Sequence, residues 1–332
     1  MPRLVINGYG RIGRCLLRAL FEGPLRPDLE LVAINDLSDY SLLAHLTRFD
    51  STHGPFGKTV ELQGDTLIID GRPIRLSAER DIRRLPWREL DIDIVLECSG
   101  LFTRRDACQQ HLDAGAGKVL LSAPGDGMDA TIVFGVNHAG LRPEHRLVSN
   151  ASCTTNCLAP LAQVLHHRFG IVQGQMVTVH AYTNDQSLID KVHGDPYRSR
   201  SATQSIIPTK TGAAKAVGEV LPELKGKLDG MALRVPVQDV SVVDFYALLA
   251  RDTTVEEVHA ALKEAAAQPP LQGVLVCNEQ PLVSVDFAHN PASSIVELTQ
   301  TRLQGRLLKT MAWYDNEWGF AHRMLDVAKL MA

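Results

Sequence analysis

The stretch Arg3-Leu4-Val5-Ile6-Asn7-Gly8-Tyr9-Gly10-Arg11-Ile12-Gly13 decides the fold. A short apolar run leads into three glycines spaced Gly-x-Gly-x-x-Gly. The residues that follow, Arg11 to Glu22, set Ile12, Leu16 and Leu20 on one helical face with Cys15 and Ala19 alongside. In a strand, turn and helix of this kind each glycine has a mechanical task. Gly8 permits the tight turn, Gly10 removes the side chain that would hold a pyrophosphate off the backbone, and Gly13 lets helix and sheet pack closely. The helix start then faces an anion with free N–H donors and a partial positive charge. Asp36 closes a second strand, Leu29 to Asn35, where a carboxylate accepts hydrogen bonds from the adenosine ribose hydroxyls. Together these residues predict a dinucleotide site. The carboxylate repels a 2′-phosphate, which favours NAD over NADP.

Working outward, the alternation continues through a strand at Ile92 to Glu97, a helix from Arg104 to Ala114 and a strand at Lys118 to Ser122. The expectation is a Rossmann-type doubly wound parallel sheet. Loops at the carboxyl ends of such strands line the ligand crevice, so Ser99, Gly100 and Ser122 are candidate cofactor walls and Arg80 a candidate adenine neighbour. Punctuation is local, as at Gly23-Pro24 and Pro124-Gly125-Asp126-Gly127. Beyond Ser152 the texture changes to a helix of about fifteen residues and longer strand-like runs at Met176–Ala181, Met231–Pro236, Val240–Leu249 and Leu308–Tyr314. These predict a second, catalytic domain on a mainly antiparallel or mixed sheet, α/β plus α+β in all. The expected division is 1–152 and 153–317. A polar loop over about 182–205 carries His193, Arg198 and Arg200, and loops of that length are usually functional.

Composition excludes several classes. The 332 residues are 22% charged and 45% hydrophobic, as in globular proteins, with a net charge of −4 that offers no overall basic field for nucleic acid or an anionic membrane. No run approaches the ~20 apolar residues of a spanning helix, and the start reads as a strand rather than a signal peptide, so a cytoplasmic location is expected. The six cysteines are too sparse for a secreted disulfide framework. Cys153 and Cys157 form a lone Cys-x3-Cys pair, a weak zinc signal, and no metal is expected.

The second chemical signal is Ser149-Asn150-Ala151-Ser152-Cys153-Thr154-Thr155-Asn156-Cys157. Cys153 stands where a helix begins, and the helix dipole favours thiolate over thiol, so a standing thiolate nucleophile is expected. Ser152, Thr154 and the first-turn N–H groups are placed to hold an anion beside the sulfur, although the same residues serve equally as helix caps. His180 ends a strand before the polar loop and is the candidate base. Arg234, inside the apolar strand Leu233-Arg234-Val235, needs a buried counter-charge, either a phosphate ester or an internal carboxylate.

These residues resemble the phosphorylating glyceraldehyde-3-phosphate dehydrogenase family along essentially the whole chain. The matching stretches are Asn7–Arg14, Ser149–Cys157, His180–Gln186, Ile207–Lys215, Leu221–Pro236 and Trp313–Gly319. The resemblance implies NAD-dependent oxidative phosphorylation of D-glyceraldehyde 3-phosphate to 1,3-bisphosphoglycerate, serving glycolysis and gluconeogenesis, in a homotetramer. It also implies that 1–152 is an NAD-binding domain, rejoined by a C-terminal helix over about 318–332, and that 153–317 serves catalysis and oligomerisation. Carried over, Cys153 is the nucleophile and His180 the base, with a hemithioacetal and then a thioester on the sulfur. Gly8, Gly10, Arg11, Ile12, Gly13, Asp36, Arg80, Ser99, Gly100, Ser122 and Asn316 are implied to bind NAD, Asn316 through the nicotinamide carboxamide. Thr183 and Arg234 match positions for the substrate phosphate. Ser152, Thr154, Thr211 and Gly212 match those for the incoming phosphate, and Arg198 assists at one of the two.

Two positions depart from the family pattern: Phe320 replaces a tyrosine, and Lys191-Val192 replaces a Leu-Pro pair. The sister family of erythrose-4-phosphate dehydrogenases, hydrolytic enzymes of vitamin B6 synthesis, is the rival. Leu282–Phe287, Thr299–Arg302 and Phe320–Asp326 are closer to it. Thr183 and Thr211–Lys215, which carry the chemistry, follow the triose enzyme, and the triose is expected. A non-catalytic dinucleotide-binding sensor is the remote alternative.

Overall fold

The computed structural model describes residues 1–22 and 28–332, and the Gly23-Pro24 punctuation lies outside them. The chain divides into two compact units: Met1–Ile132 with His138–Ala151 and Ala321–Ala332, and Val133–Asn137 with Ser152–Phe320.

The first unit carries a nine-stranded sheet. Strand β1 (Arg3–Asn7) has β2 (Glu30–Asn35) on one side and, on the other, a strand contributed much later in the chain. Beyond β2 lies β3 (Arg72–Ser77); on the far side of β1 come β4 (Ile94–Glu97), β5 (Lys118–Leu121) and β6 (Leu147–Ser149), all parallel. The winding therefore reverses at β1, the switch point at which such sheets bind ligands. Helix α1 spans Arg11–Glu22 and α2 Arg105–Asp113. Leu4, Val5 and Ile6 are fully buried, as a parallel strand covered on both faces requires. The core beneath includes Val95, Val119, Trp87 and Cys108.

Pattern reading finds β1, α1, β2, β4, α2 and β5 to within a residue or two and misses β3 and β6. It does not find the helix Tyr40–Arg48, capped by Asp39, or the antiparallel pair Val60–Gln63 and Thr66–Ile69 at the sheet edge. Those segments are short and mixed in polarity, so no periodicity marks them.

The second unit opens with α3 (Cys153–Phe169), whose N-cap Ser152 accepts from the Thr155 N–H. An eight-stranded mixed sheet follows. Its strands β7 (Ile171–Ala181) and β9 (Leu228–Val235) are parallel, while β8 (Ile207–Lys210) is antiparallel to β9. On the other side β10 (Ser241–Leu249) and β11 (Leu307–Tyr314) continue antiparallel. Residues 182–206 form neither helix nor strand, held instead by turns and one Ser187–Ser201 bridge. The last helix, α4 (Trp318–Met331), begins in the second unit, and Ala321–Ala332 belongs to the first.

Candidate active site

Within the first unit, the carboxyl ends of β1, β2 and β4 surround an open cleft of about 310 Å³. Gly8 has φ +90° at its entrance, and a Cβ there would lie 2.5 Å from the Ser99 backbone. On Gly13 a Cβ would sit 2.4 Å from the Gly8 carbonyl oxygen, so that glycine serves packing. Gly10 differs, because a Cβ there meets no atom within 4 Å: the space beside it is left for something else. Asp36 accepts the Tyr9 N–H at 2.8 Å and the Ser38 N–H at 2.9 Å, which fixes its carboxylate at the cleft edge.

Of the residues expected to bind the cofactor, Gly8, Gly10, Asp36, Arg80 and Ser99 line this cleft. Arg11, Ile12, Gly13, Gly100 and Ser122 are not among its walls. The Arg11 guanidinium turns instead to Asp50 at 2.5 Å, and the Ser122 hydroxyl bonds to Cys98. The α1 N-terminus, the space beside Gly10 and the Asp36 carboxylate together fit a dinucleotide.

In the second unit, Cys153 is the first residue of α3. Ala151, two residues earlier, has φ 57°, a left-handed conformation a non-glycine residue adopts at a cost of about 1–3 kcal/mol. His180 lies near the end of β7, and its Nε2 is 3.5 Å from Cys153 Sγ. The parallel register of β7 and β9 sets Arg234 directly beside His180. Arg234 Nη1 consequently reaches His180 Nδ1 at 2.7 Å, while Nδ1 is also 2.6 Å from the Ala181 carbonyl. Burial, with the Arg234 charge, lowers the His180 imidazole to about 3. Burial likewise raises the Cys153 thiol above its ordinary value, although Arg234 and donors from Thr154 oppose it.

Desolvation therefore opposes the standing thiolate expected from sequence, although Cys153 as a residue is only partly buried. A helix N-terminus stabilises an anion by about 0.3–1 kcal/mol, up to ~2 kcal/mol when partly buried, and so offsets part of the desolvation cost. The cation that favours the thiolate is Arg234 rather than the imidazole.

The remaining expected residues divide by what their side chains already do. The Ser152 hydroxyl is spent as the α3 cap, with Thr155 Oγ1 at 2.7 Å. Thr154 is buried, its hydroxyl 2.8 Å from the Tyr314 hydroxyl. The Thr183 N–H and hydroxyl both donate to Gln186 Oε1, and Thr211 Oγ1 accepts the Ala213 N–H at 3.2 Å beside exposed Gly212. Arg198 donates to Thr209 Oγ1 at 2.8 Å and pairs with Asp185 at 2.6 Å. Arg234 makes no carboxylate ion pair among the described residues, and its Nε is buried without a partner. The internal carboxylate weighed as its counter-charge makes no ion pair with it among the described residues, although the Asp185 charge acts on it.

Sequence reading misses two residues of this site. Tyr314, fully buried at the end of β11, bonds Thr154 and Thr178 through its hydroxyl and sets its ring edge on His180, centroids 5.9 Å apart. Ser241 accepts the Ala181 N–H at 3.1 Å and donates to Asn316 Oδ1 at 2.7 Å. Because the backbone N–H only donates, the Ser241 proton goes to Asn316, so the amide nitrogen is at the other end of that side chain. Only the Tyr-Asp-Asn run at 314–316 pointed toward Tyr314, and nothing local marked Ser241.

Known proteins resemble this chain along nearly its whole length. A family model described as the NAD binding domain of glyceraldehyde 3-phosphate dehydrogenase matches residues 2–105, and one for the C-terminal domain matches 152–316. A Pseudomonas aeruginosa protein named glyceraldehyde-3-phosphate dehydrogenase is 60% identical over 330 residues, 99% of this chain and 98% of that protein. A plasmid-borne one from Cupriavidus necator is 56% identical over 99% of this chain and 98% of its own length. A Geobacillus stearothermophilus enzyme is 53% identical over 98% of this chain and 97% of its own. With both domains matched and identity this high along its length, the chain belongs to the glyceraldehyde 3-phosphate dehydrogenase family.

Proposed function

We propose that the chain oxidises D-glyceraldehyde 3-phosphate with NAD and inorganic phosphate, giving 1,3-bisphosphoglycerate. The observation that carries this is the Cys153–His180 contact beside Arg234, a buried cation with no carboxylate partner among the described residues. Cys153 Sγ attacks the aldehyde carbon while its proton passes to His180 Nε2. The carbonyl oxygen takes up that proton, and the adduct is a hemithioacetal. NAD, when bound, supplies the hydride acceptor that carries this adduct to a thioester. Nε2 holds the hydroxyl proton released in that oxidation. An oxygen of inorganic phosphate then attacks the thioester carbon and the C–S bond breaks. The leaving sulfur takes back the proton held on Nε2 and the phosphate proton passes to solvent, so the acyl phosphate leaves with Cys153 and His180 restored.

Arg234 and Thr183 are the residues we assign to the phosphate already on the substrate. The backbone N–H groups at Ser152 and Thr154, with Thr211 and Gly212, are assigned to the incoming phosphate, and Arg198 beside Thr209 to one of the two. Asn316 is assigned to the nicotinamide carboxamide. In the first unit Gly8, Gly10, Asp36, Arg80 and Ser99 are assigned to NAD through their side chains or backbone, and Arg11 and Ile12 through the helix N-terminus alone.

Assembly as a homotetramer fits the apolar side chains exposed on the 182–206 loop, Ile189 at 78% and Val192 at 96% among them. No helix among the described residues is long and apolar enough to cross a membrane, which fits a cytoplasmic enzyme. Steady-state kinetics with the two aldehydes tests the assignment. Turnover of glyceraldehyde 3-phosphate that requires inorganic phosphate is expected. A preference for erythrose 4-phosphate without a phosphate requirement overturns it.

A further inference from the structure

Glu97 is the one charged residue in the strand Ile94-Val95-Leu96-Glu97, and no surface of it is exposed. An unpaired carboxylate there is prohibitively costly, so its partners are informative. Oε1 accepts the Ser99 N–H at 2.8 Å and the Ser99 hydroxyl at 2.5 Å. Oε2 accepts Asn7 Nδ2 at 2.6 Å and meets His111 Nε2 at 2.9 Å. His111 is fully buried too, and its Nδ1 takes the Trp87 indole N–H at 3.0 Å. Since indole only donates, Nδ1 carries the lone pair and the ring proton sits on Nε2, aimed at Glu97. Four donors thus fill the acceptor capacity of one carboxylate.

The network extends sideways. Asn7 Oδ1 accepts Asn35 Nδ2 at 2.8 Å, and Asn35 Oδ1 accepts the Ser77 hydroxyl at 2.9 Å and the Glu79 N–H at 3.0 Å. Asn7 is in register with Asn35 on one side and Glu97 on the other. The carboxyl ends of β3, β2, β1 and β4 are therefore joined by side chains in one line, and Asn7, Asn35, Glu79 and Ser99 of that line are walls of the cleft.

We propose that Glu97, held by His111, is the positioning residue that sets the cofactor cleft: it fixes the Ser99 loop and the Asn7–Asn35 pair and so determines affinity for the dinucleotide without touching it. Glutamine at position 97 keeps the shape but turns one acceptor oxygen into a donor, so at least one of the four donors meets another donor. Loss of His111 removes one partner and leaves the Ser99 and Asn7 contacts in place.

The inference rests on this cleft being the NAD site, and a control separates the two. NAD is titrated by protein fluorescence into the full chain and into Gly10→Val, Glu97→Gln and His111→Ala, with steady-state kinetics and Cys153 alkylation in the absence of NAD measured in parallel. Gly10→Val should abolish binding, and unimpaired binding there refutes the cleft assignment itself. Glu97→Gln should weaken NAD about tenfold and raise KM for NAD by the same factor. kcat at saturating NAD and the alkylation rate should stay within twofold. Should Glu97→Gln fail to unfold cooperatively, His111→Ala decides, with about threefold weaker NAD in the same pattern. NAD affinity within 1.5-fold of the parent in the deciding variant, with Gly10→Val inactive in binding, overturns the proposal. Equal falls in kcat and alkylation overturn it as well.

Discussion

Arg234 Nη1 stands 2.7 Å from His180 Nδ1, a contact set by their register on neighbouring parallel strands. A guanidinium only donates and the Ala181 carbonyl only accepts, so Nδ1 lies between a donor and an acceptor. The two contacts need different tautomers. A bond from Arg234 needs the lone pair on Nδ1 and the proton on Nε2. The form the proposed base uses has the proton on Nδ1, bonded to Ala181, with Arg234 donating to the Ala181 carbonyl at 3.1 Å instead. The fixed positive charge opposes a second proton. Burial is the larger cause of the lowered imidazole and the Arg234 charge the second, so Arg234→Leu should raise the His180 pKa from about 3 only part of the way back. It should also lower kcat/KM roughly 100-fold, the ~2–3 kcal/mol of a lost charge-assisted contact to phosphate. Titration of the His180 ring by NMR checks the first effect, and an unmoved midpoint contradicts the electrostatic reading.

Alkylation of Cys153 in the cofactor-free protein should follow the raised thiol. A pKa above the ordinary value leaves the thiolate scarce at neutral pH and increases it as pH rises. The iodoacetamide rate should climb about tenfold per pH unit from pH 6 to pH 8. A rate–pH profile checks this, and a plateau near pH 6 would show a standing thiolate after all.

Tyr314→Phe removes one hydroxyl and keeps the ring against His180. The Thr154 and Thr178 hydroxyls, both buried, each lose a partner. A loss of about 2 kcal/mol in unfolding free energy is expected from two such bonds. Because Thr154 adjoins Cys153 and Thr178 is two residues from His180, kcat should fall with it. Urea midpoints and kcat measured together are the check; unchanged values for both would remove Tyr314 from the site.

Much of this was legible in the sequence. The glycine turn after β1, Asp36 at the end of β2 and Cys153 at the start of α3 are local patterns, and each stands where its pattern puts it. What escaped is non-local. His180 and Arg234 are 2.7 Å apart only because β7 and β9 are parallel neighbours. Ser241 matters only through a hydrogen bond to Asn316, a residue distant in the chain. Glu97 did leave a sign, a carboxylate in an apolar strand, yet its four partners come from β1, its own loop and α2. The opposing effect of desolvation on the sulfur could not be read from helix position.

The account stands most directly on one covalent intermediate. Mixing the protein with NAD and glyceraldehyde 3-phosphate in the absence of inorganic phosphate should give a rapid burst of about one NADH per chain at most. Intact-mass and peptide analysis of the quenched sample should place a 3-phosphoglyceroyl group on Cys153, and Cys153→Ser should give neither burst nor adduct. Acylation at another residue, or NADH formation that persists in Cys153→Ser, would contradict it.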